Sequence, residues 1–127
     1  MNNLNLGILV LGYNRPDSLL KTVSSLRAIA NLYNAAIYVY VDGAATNSRR
    51  LIDQNVAVKE KVLGLHRKNV IDSYVFRKIN LGTMDSVVSA VSDVLSKHEK
   101  ILVFEDDLEL VQNVSVPLEW LFDCLGG

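Results

Sequence analysis

The stretch LGILVLGYNRPDSLL, residues 6–20, contains the signals of a buried strand followed directly by a helix. Its first half is a continuous apolar run that stops at Gly12, which is typical of a strand buried on both faces. Pro16 and Asp17 suit the first turn of a helix, because proline has no N–H to satisfy there and an acid complements the helix dipole. The stretch therefore predicts the first strand and the first helix of an α/β fold.

The same alternation of strand and helix continues along the chain. Apolar or β-branched runs predict further strands at 36–41, about 70–79 and 100–104, and apolar residues at helical spacing predict helices at about 47–65, 84–95 and 117–125. Strands that alternate with helices form a mainly parallel sheet that is covered on both faces. We therefore predict one α/β domain over residues 1–127 with a three-layer, Rossmann-like architecture.

Composition and charge argue against several classes of protein. The 127 residues include 13 basic and 14 acidic side chains, and a net charge of −1 does not favour nucleic acid as a partner. No segment approaches the ~20 apolar residues of a membrane span, and the N-terminus lacks the basic residues of a signal peptide. The single cysteine, Cys124, excludes an internal disulfide and fits a reducing compartment. We expect a cytoplasmic protein whose chain has no membrane span.

Polar or glycine-containing segments follow the predicted strands at residues 12–15, 42–43, 80–82 and 105–107. The carboxyl ends of parallel strands meet at one edge of a sheet. Ligands of such sheets bind outside these ends, near the point where the strand order reverses. We therefore expect the four segments to contribute to one shared site.

The segment ILVFEDDLEL, residues 101–110, places Glu105, Asp106 and Asp107 directly after a buried strand. In an extended chain Glu105 and Asp107 would face one side and Asp106 the other. Carboxylates without nearby histidine or cysteine suit Mg²⁺ or Mn²⁺, which bridges carboxylates to a substrate diphosphate. The alternative is a solvated acidic turn. We favour metal and phosphate binding, because apolar residues precede and follow the acids.

The other strand ends are weaker indications of ligand binding. Arg15 lies between a strand and a helix N-terminus, a position that suits phosphate binding. The alternative is an arginine that is exposed on the surface and binds no ligand. If Asp42 is an isolated carboxylate, it would accept a hydrogen bond from a base or a ribose. The alternative is that it belongs to an Asp-Gly turn, which is common. Asn80 and Gly82 would bring the backbone close to a ligand or cap the next helix. The absence of a phosphate-loop or GxGxxG motif argues against a P-loop kinase and a standard dinucleotide fold.

Four stretches of the chain carry a resemblance to a known family: ILVLGYNRPDSLLKTVSSL (8–26), YVYVDGA (38–44), INLGTMDSVVSAVSDVL (79–95) and ILVFEDDLEL (101–110). With them the chain resembles the nucleotide-sugar-binding half of GT-A glycosyltransferases, close to family 2. Around the acidic motif it also resembles N-acetylglucosaminyltransferase I-like enzymes. The resemblance covers nearly the whole chain and implies the GT-A variant of the three-layer fold.

The resemblance implies roles for the acids. Asp107 would be the ligand of a Mn²⁺ or Mg²⁺ ion, with Asp106 and Glu105 near the ribose and the sugar. Asn80 and Gly82 would bring the backbone close to the same nucleotide-sugar. The metal would neutralise the leaving nucleoside diphosphate, which is the main electrostatic task in glycosyl transfer.

The resemblance also implies roles for the first two strand ends. Asp42 would hydrogen-bond the base, typically the N3–H of a uracil, which favours a UDP-sugar. Arg15 would contact the diphosphate, while Tyr13 and Asn14 would line the nucleotide pocket. No catalytic residue is assigned.

The implied activity is that of a glycosyltransferase, or of its donor-binding domain, acting in polysaccharide biosynthesis. It would transfer a sugar from a nucleotide-diphosphate sugar to a glycan or lipid-linked acceptor. In the family the acceptor-binding half follows the acidic motif, whereas this chain ends at residue 127, so we expect that half to be absent. Two other hypotheses remain open: a nucleotidyltransferase-like enzyme and a non-catalytic assembly module. An uncovered sheet edge would also allow a homodimer.

Overall fold

The computed structural model describes residues 5–44, 46–78 and 83–106, and the predicted helix at 117–125 lies outside these ranges. The elements in chain order are β1 (Leu6–Gly12), α1 (Pro16–Tyr33), β2 (Ala36–Val41), α2 (Arg49–Arg67), β3 (Ser73–Phe76), α3 (Thr83–Leu95) and β4 (Lys100–Glu105). None of the helices in the described ranges is both long enough and apolar enough to cross a membrane.

The four strands form one sheet in the order β3-β2-β1-β4, and every neighbouring pair is parallel. The predicted α/β class with a mainly parallel sheet is therefore confirmed. The strand order reverses between β1 and β4, because the chain moves outward from β1 to β3 and then returns to the other side of β1. Gly12 lies beside Val41, and Leu11 lies beside Glu105, so these strands end level with one another.

Helices cover both faces of the sheet, which gives the three layers that were predicted. The first core cluster joins the buried stripes of α1 and α2 to alternate strand residues, which include Ile8, Val10, Ile37 and Val39. The second cluster, on the opposite face, joins Ala90 and Val94 of α3 to Leu9 and Tyr40 of the sheet. The sequence of β1 is a continuous apolar run, and not an alternating one, because its side chains are buried on both faces of the sheet.

The third strand is shorter than predicted, since it covers Ser73–Phe76 rather than 70–79. Asn69 has a φ of 60°, and the Val70 N–H donates to the Leu65 carbonyl at 2.9 Å. These residues therefore end α2 with a left-handed turn, in which an apolar residue follows the helix and packs against the core. The apolar residues just before β3 reflect this packing and not strand pairing.

Candidate functional site

A pocket of about 400 Å³ lies at the carboxyl ends of the strands, beside the reversal of strand order between β1 and β4. The structure brings together here six residues that the sequence predicted: Tyr13, Asn14, Arg15, Asp42, Glu105 and Asp106. Six further residues complete the lining: Leu11, Gly12, Tyr40, Arg77, Ser86 and Val87. The predicted residues Asn80, Gly82 and Asp107 lie outside the part of the chain that the structure describes.

The loop after β1 is tied to the acidic motif. The Tyr13 N–H donates to Oδ2 of Asp106 at 3.2 Å, and the Thr22 hydroxyl donates to the Asp106 main-chain carbonyl at 3.4 Å. Thr22 is buried on α1, so this helix and the β1 loop both restrain the residue. One carboxylate oxygen of Asp106 therefore fixes the position of the loop after β1, which forms one wall of the pocket.

Glu105 and Asp106 both line the pocket, and the directions of their side chains relative to each other stay a prediction. The alternation of side chains holds only within a strand, and β4 ends at Glu105. Asp106 lies in the turn beyond it. Two adjacent acidic residues thus line the same pocket.

Arg15 lies at the junction of β1 and α1, where its carbonyl accepts the Leu19 N–H at 3.0 Å. Its side chain is exposed and lines the pocket. Pro16 occupies the first turn of α1, and no side chain caps the helix. The positive end of the helix dipole and a guanidinium thus lie at the same side of the pocket, an arrangement that favours an anionic ligand group.

Asp42 is not the isolated carboxylate that the sequence suggested. The Ser86 hydroxyl of α3 donates to its Oδ2 at 2.5 Å, and the Arg77 Nε lies 3.8 Å from its Oδ1. The side chains of Asp42 and Arg77 are each only 15% exposed. The carboxylate is therefore an oriented acceptor at the wall of the pocket, paired with the arginine that follows β3.

Arg77 also contacts an aromatic ring. Its guanidinium carbon lies 5.3 Å from the centre of the Tyr40 ring, which allows a cation–π interaction. The Tyr40 hydroxyl donates to Oδ2 of Asp93 at 3.1 Å. Burial, together with the nearby Asp93 carboxylate, raises the pKa of Tyr40 from its ordinary value of 10.0 to about 12. Tyr40 is thus a neutral hydrogen-bond donor that presents its ring to the arginine.

Asn55 of α2 connects two walls of the pocket. Its side-chain Nδ2 donates to the main-chain carbonyl of Tyr13 at 2.7 Å and to that of Asp42 at 2.8 Å. Sequence reasoning did not identify this residue, although a signal was present. Asn55 occupies a position of the buried stripe that continues through Val58 and Val62, where helical periodicity calls for an apolar side chain.

The sequence interpretation also missed Arg77 and Ser86. Arg77 directly follows β3, in the same way that Asp42 follows β2, and that position was the available signal. Ser86 carries no comparable signal, since serine is common on helices and its partner is 44 residues away in sequence.

The described part of the chain contains no group of three His, Cys, Asp or Glu side chains that could hold a metal ion on its own. Glu105 and Asp106, which both line the pocket, nevertheless carry hard oxygen donors. This donor set fits Mg²⁺ or Mn²⁺, because such ions keep several waters and take other ligands from substrate phosphates.

Comparison of the chain with protein-family models, with curated proteins and with solved structures found no match. The resemblance to GT-A glycosyltransferases therefore remains one of sequence motifs. The functional assignment depends on the chemistry of the pocket.

Proposed function

We propose that this protein binds a nucleotide-diphosphate sugar at the carboxyl edge of its sheet and is the donor-binding part of a glycosyltransferase. The observation that carries the proposal is the convergence of Arg15, Asp42 and the pair Glu105–Asp106 on one pocket of about 400 Å³. These groups come from the ends of β1, β2 and β4, which are far apart in sequence. A pocket of this size suits a small-molecule ligand.

The three groups match the three parts of such a ligand. Asp42 offers an oriented carboxylate that would accept an N–H of the base, and a uracil N3–H makes a UDP-sugar the favoured donor. Arg15 and the N-terminus of α1 offer positive charge to the diphosphate. Glu105 and Asp106 would lie near the ribose and the sugar, and Tyr13 and Asn14, which line the same pocket, would contact the nucleotide.

The residues present also suit the Mn²⁺ or Mg²⁺ ion that the resemblance implies. Glu105 and Asp106 would hold it together with Asp107, which lies outside the described residues. When bound, the ion would supply positive charge that stabilises the leaving nucleoside diphosphate. The acceptor would be a glycan or a lipid-linked glycan, and we propose that the protein acts in the cytoplasm.

The proposal is tested by calorimetric titration of the folded protein with UDP, GDP and dTDP, each with and without Mn²⁺. We expect one nucleotide to bind in the presence of the metal, with an affinity that falls at least roughly tenfold without it. Glu105→Gln should remove most of this metal dependence. Its matched control is Glu99→Gln, which alters an exposed acid that does not line the pocket.

The outcomes separate the competing hypotheses. A folded protein that binds none of the nucleotides would contradict the proposal and favour an assembly module whose acids have no ligand. A titration with UTP under the same conditions is added, and metal-dependent binding of UTP in strong preference to UDP would favour a nucleotidyltransferase-like enzyme. If the affinity for UDP changes neither with Mn²⁺ nor in Glu105→Gln, the acids do not belong to the binding site.

A further inference from the structure

Asn55 is a polar side chain that is almost completely buried. It is 2% exposed and belongs to the buried stripe of α2. Burial of an amide is unfavourable unless its hydrogen-bonding groups are satisfied. Here the Nδ2 group donates both hydrogens to main-chain carbonyls, those of Tyr13 and Asp42.

The orientation of this amide is determined by its partners. Both partners are carbonyl oxygens, which only accept hydrogen bonds, so the nitrogen of the amide and not its oxygen must face them. The two bonds, of 2.7 and 2.8 Å, are short and of similar length. A single side chain thus joins the loop after β1 to the end of β2.

The position of these two carbonyls explains why a side chain is needed. The register between β1 and β2 ends at the pair Gly12 and Val41, and the Asp42 N–H makes one more bond, to the Gly12 carbonyl at 3.1 Å. The ladder between β1 and β2 ends there, so strand pairing no longer sets the separation of the two segments that follow. Asn55 bridges the segments at this point.

We propose that Asn55 is a positioning residue that sets the separation of the two pocket walls formed by the loop after β1 and the end of β2. This inference rests on the proposed function for the identity of the ligand, while the bridging itself is a property of the fold. Tyr13 is held on both sides, because its N–H binds Asp106 and its carbonyl binds Asn55. Loss of the bridge would therefore also loosen the wall that carries the acidic motif.

The test compares Asn55→Asp with a matched control at the other end of the sheet. Aspartate keeps the shape of the side chain but offers at most one hydrogen, so at least one carbonyl loses its donor. The control is Asp72→Ala, which removes the 2.7 Å bond that the Ile37 N–H donates to Oδ2 of Asp72. This bond lies near the amino end of β2, so its loss affects stability without touching the pocket.

Two readouts are measured on both variants under conditions in which they are folded. The Kd for UDP with Mn²⁺ should rise roughly tenfold or more in Asn55→Asp and stay close to the wild-type value in Asp72→Ala. Hydrogen exchange should become faster for the amides of Tyr13 and Asp42 in Asn55→Asp, but not for amides in the middle of β1. A residue that serves stability alone would accelerate exchange throughout the sheet and change the Kd no more than the control does.

The exchange measurement separates this inference from the proposed function. If the wild-type protein binds no nucleotide, the proposed function fails, and local acceleration at Tyr13 and Asp42 still supports the bridging role. Unchanged exchange at these two amides overturns the inference whatever the nucleotide result. If wild-type binds UDP, an unchanged Kd in Asn55→Asp overturns it as well. Should Asn55→Asp fail to fold, Asn55→Ser, which keeps one hydroxyl donor, is measured in the same way.

Discussion

The Ser86 hydroxyl of α3 donates a hydrogen bond of 2.5 Å to Oδ2 of Asp42 at the end of β2. The bond joins a helix on one face of the sheet to a carboxylate on the pocket wall. It restrains rotation of the carboxylate, whose other oxygen lies 3.8 Å from Arg77 Nε. The orientation of Asp42 thus depends on a helix that is separated from it in sequence by α2 and β3.

Replacement of Ser86 by alanine should weaken nucleotide binding. Without the hydroxyl, Asp42 loses a hydrogen bond to its charged form and is free to rotate away from the ligand, so we expect the Kd for UDP to rise roughly tenfold. The measurement is a titration with UDP and Mn²⁺. Ser92→Ala, which alters an exposed serine on the same helix, should leave the Kd unchanged. Equal affinities for the two variants would show that Ser86 does not orient the carboxylate.

Replacement of Arg77 by methionine should lower the free energy of unfolding. The variant leaves the mostly buried Asp42 carboxylate without its cationic partner, which we expect to destabilise the protein by about 1–3 kcal/mol. Urea denaturation followed by circular dichroism measures the change. Arg50→Met, at an exposed position at the start of α2, provides the control and should have little effect. A similar free energy of unfolding for both variants would mean that the ion pair makes no net contribution.

Tyr40 should make stability fall as the pH rises from 10 to 12. Its pKa in the folded protein is raised to about 12, by burial first and by Asp93 second, against an ordinary value of 10.0 in an unfolded chain. Between these values the unfolded chain has lost a proton that the folded protein still holds, so rising pH favours unfolding. The contribution is fully present below pH 10 and is lost as the pH passes 12.

The measurement for Tyr40 is urea denaturation of the wild-type protein and of Tyr40→Phe at several pH values across this window. We expect the midpoint to fall more steeply with pH in the wild type. Tyr38, whose pKa is also raised by burial and by Asp72, is present in both proteins and cancels in the comparison. Parallel curves would contradict the assignment.

Two glycine substitutions should have opposite effects on stability. A Cβ at Gly43 would lie 2.9 Å from the Lys78 carbonyl oxygen and 3.0 Å from that of Arg77, and main-chain atoms cannot rotate away. We expect Gly43→Ala to lower the free energy of unfolding by about 1–3 kcal/mol. Gly64 of α2 has nothing within 4 Å of its Cβ position, so Gly64→Ala should raise stability by about 0.5–1 kcal/mol. Thermal denaturation of both variants measures the difference, and a stable Gly43→Ala protein would refute the close approach.

Much of the fold was predictable because the signals for each element are local. The strands at 36–41 and 100–104 lie within one residue of those observed, and the helix after Pro16 begins where proline and an acid indicate a first turn. The third strand was harder to delimit. The predicted run contains residues with two different roles. Val70 packs against the core at the end of α2, and only Ser73–Phe76 forms the strand that pairs with β2. Periodicity does not distinguish an apolar residue that pairs from one that merely packs.

The candidate site was predictable in part, and for a different reason. The carboxyl ends of parallel strands lie at the same edge of a sheet. Arg15, Asp42 and Glu105 could therefore be assigned to a common site once the strands were predicted. The partners of these residues could not, because Ser86 and Asn55 reach the site from helices on opposite faces of the sheet.

The order of elements, the class of fold and the edge that gathers the polar residues follow from the amino-acid sequence, because they depend on hydrophobic period and on local backbone preference. The pairing of Asp42 with Arg77, its bond to Ser86 and the bridge made by Asn55 depend instead on tertiary packing. These contacts join residues 13 to 44 positions apart, and their partners are set by the strand order β3-β2-β1-β4 and by which face each helix covers. Hydrogen-bond geometry of this kind is defined within tenths of an ångström, and it arises only when the packed layers bring those side chains together.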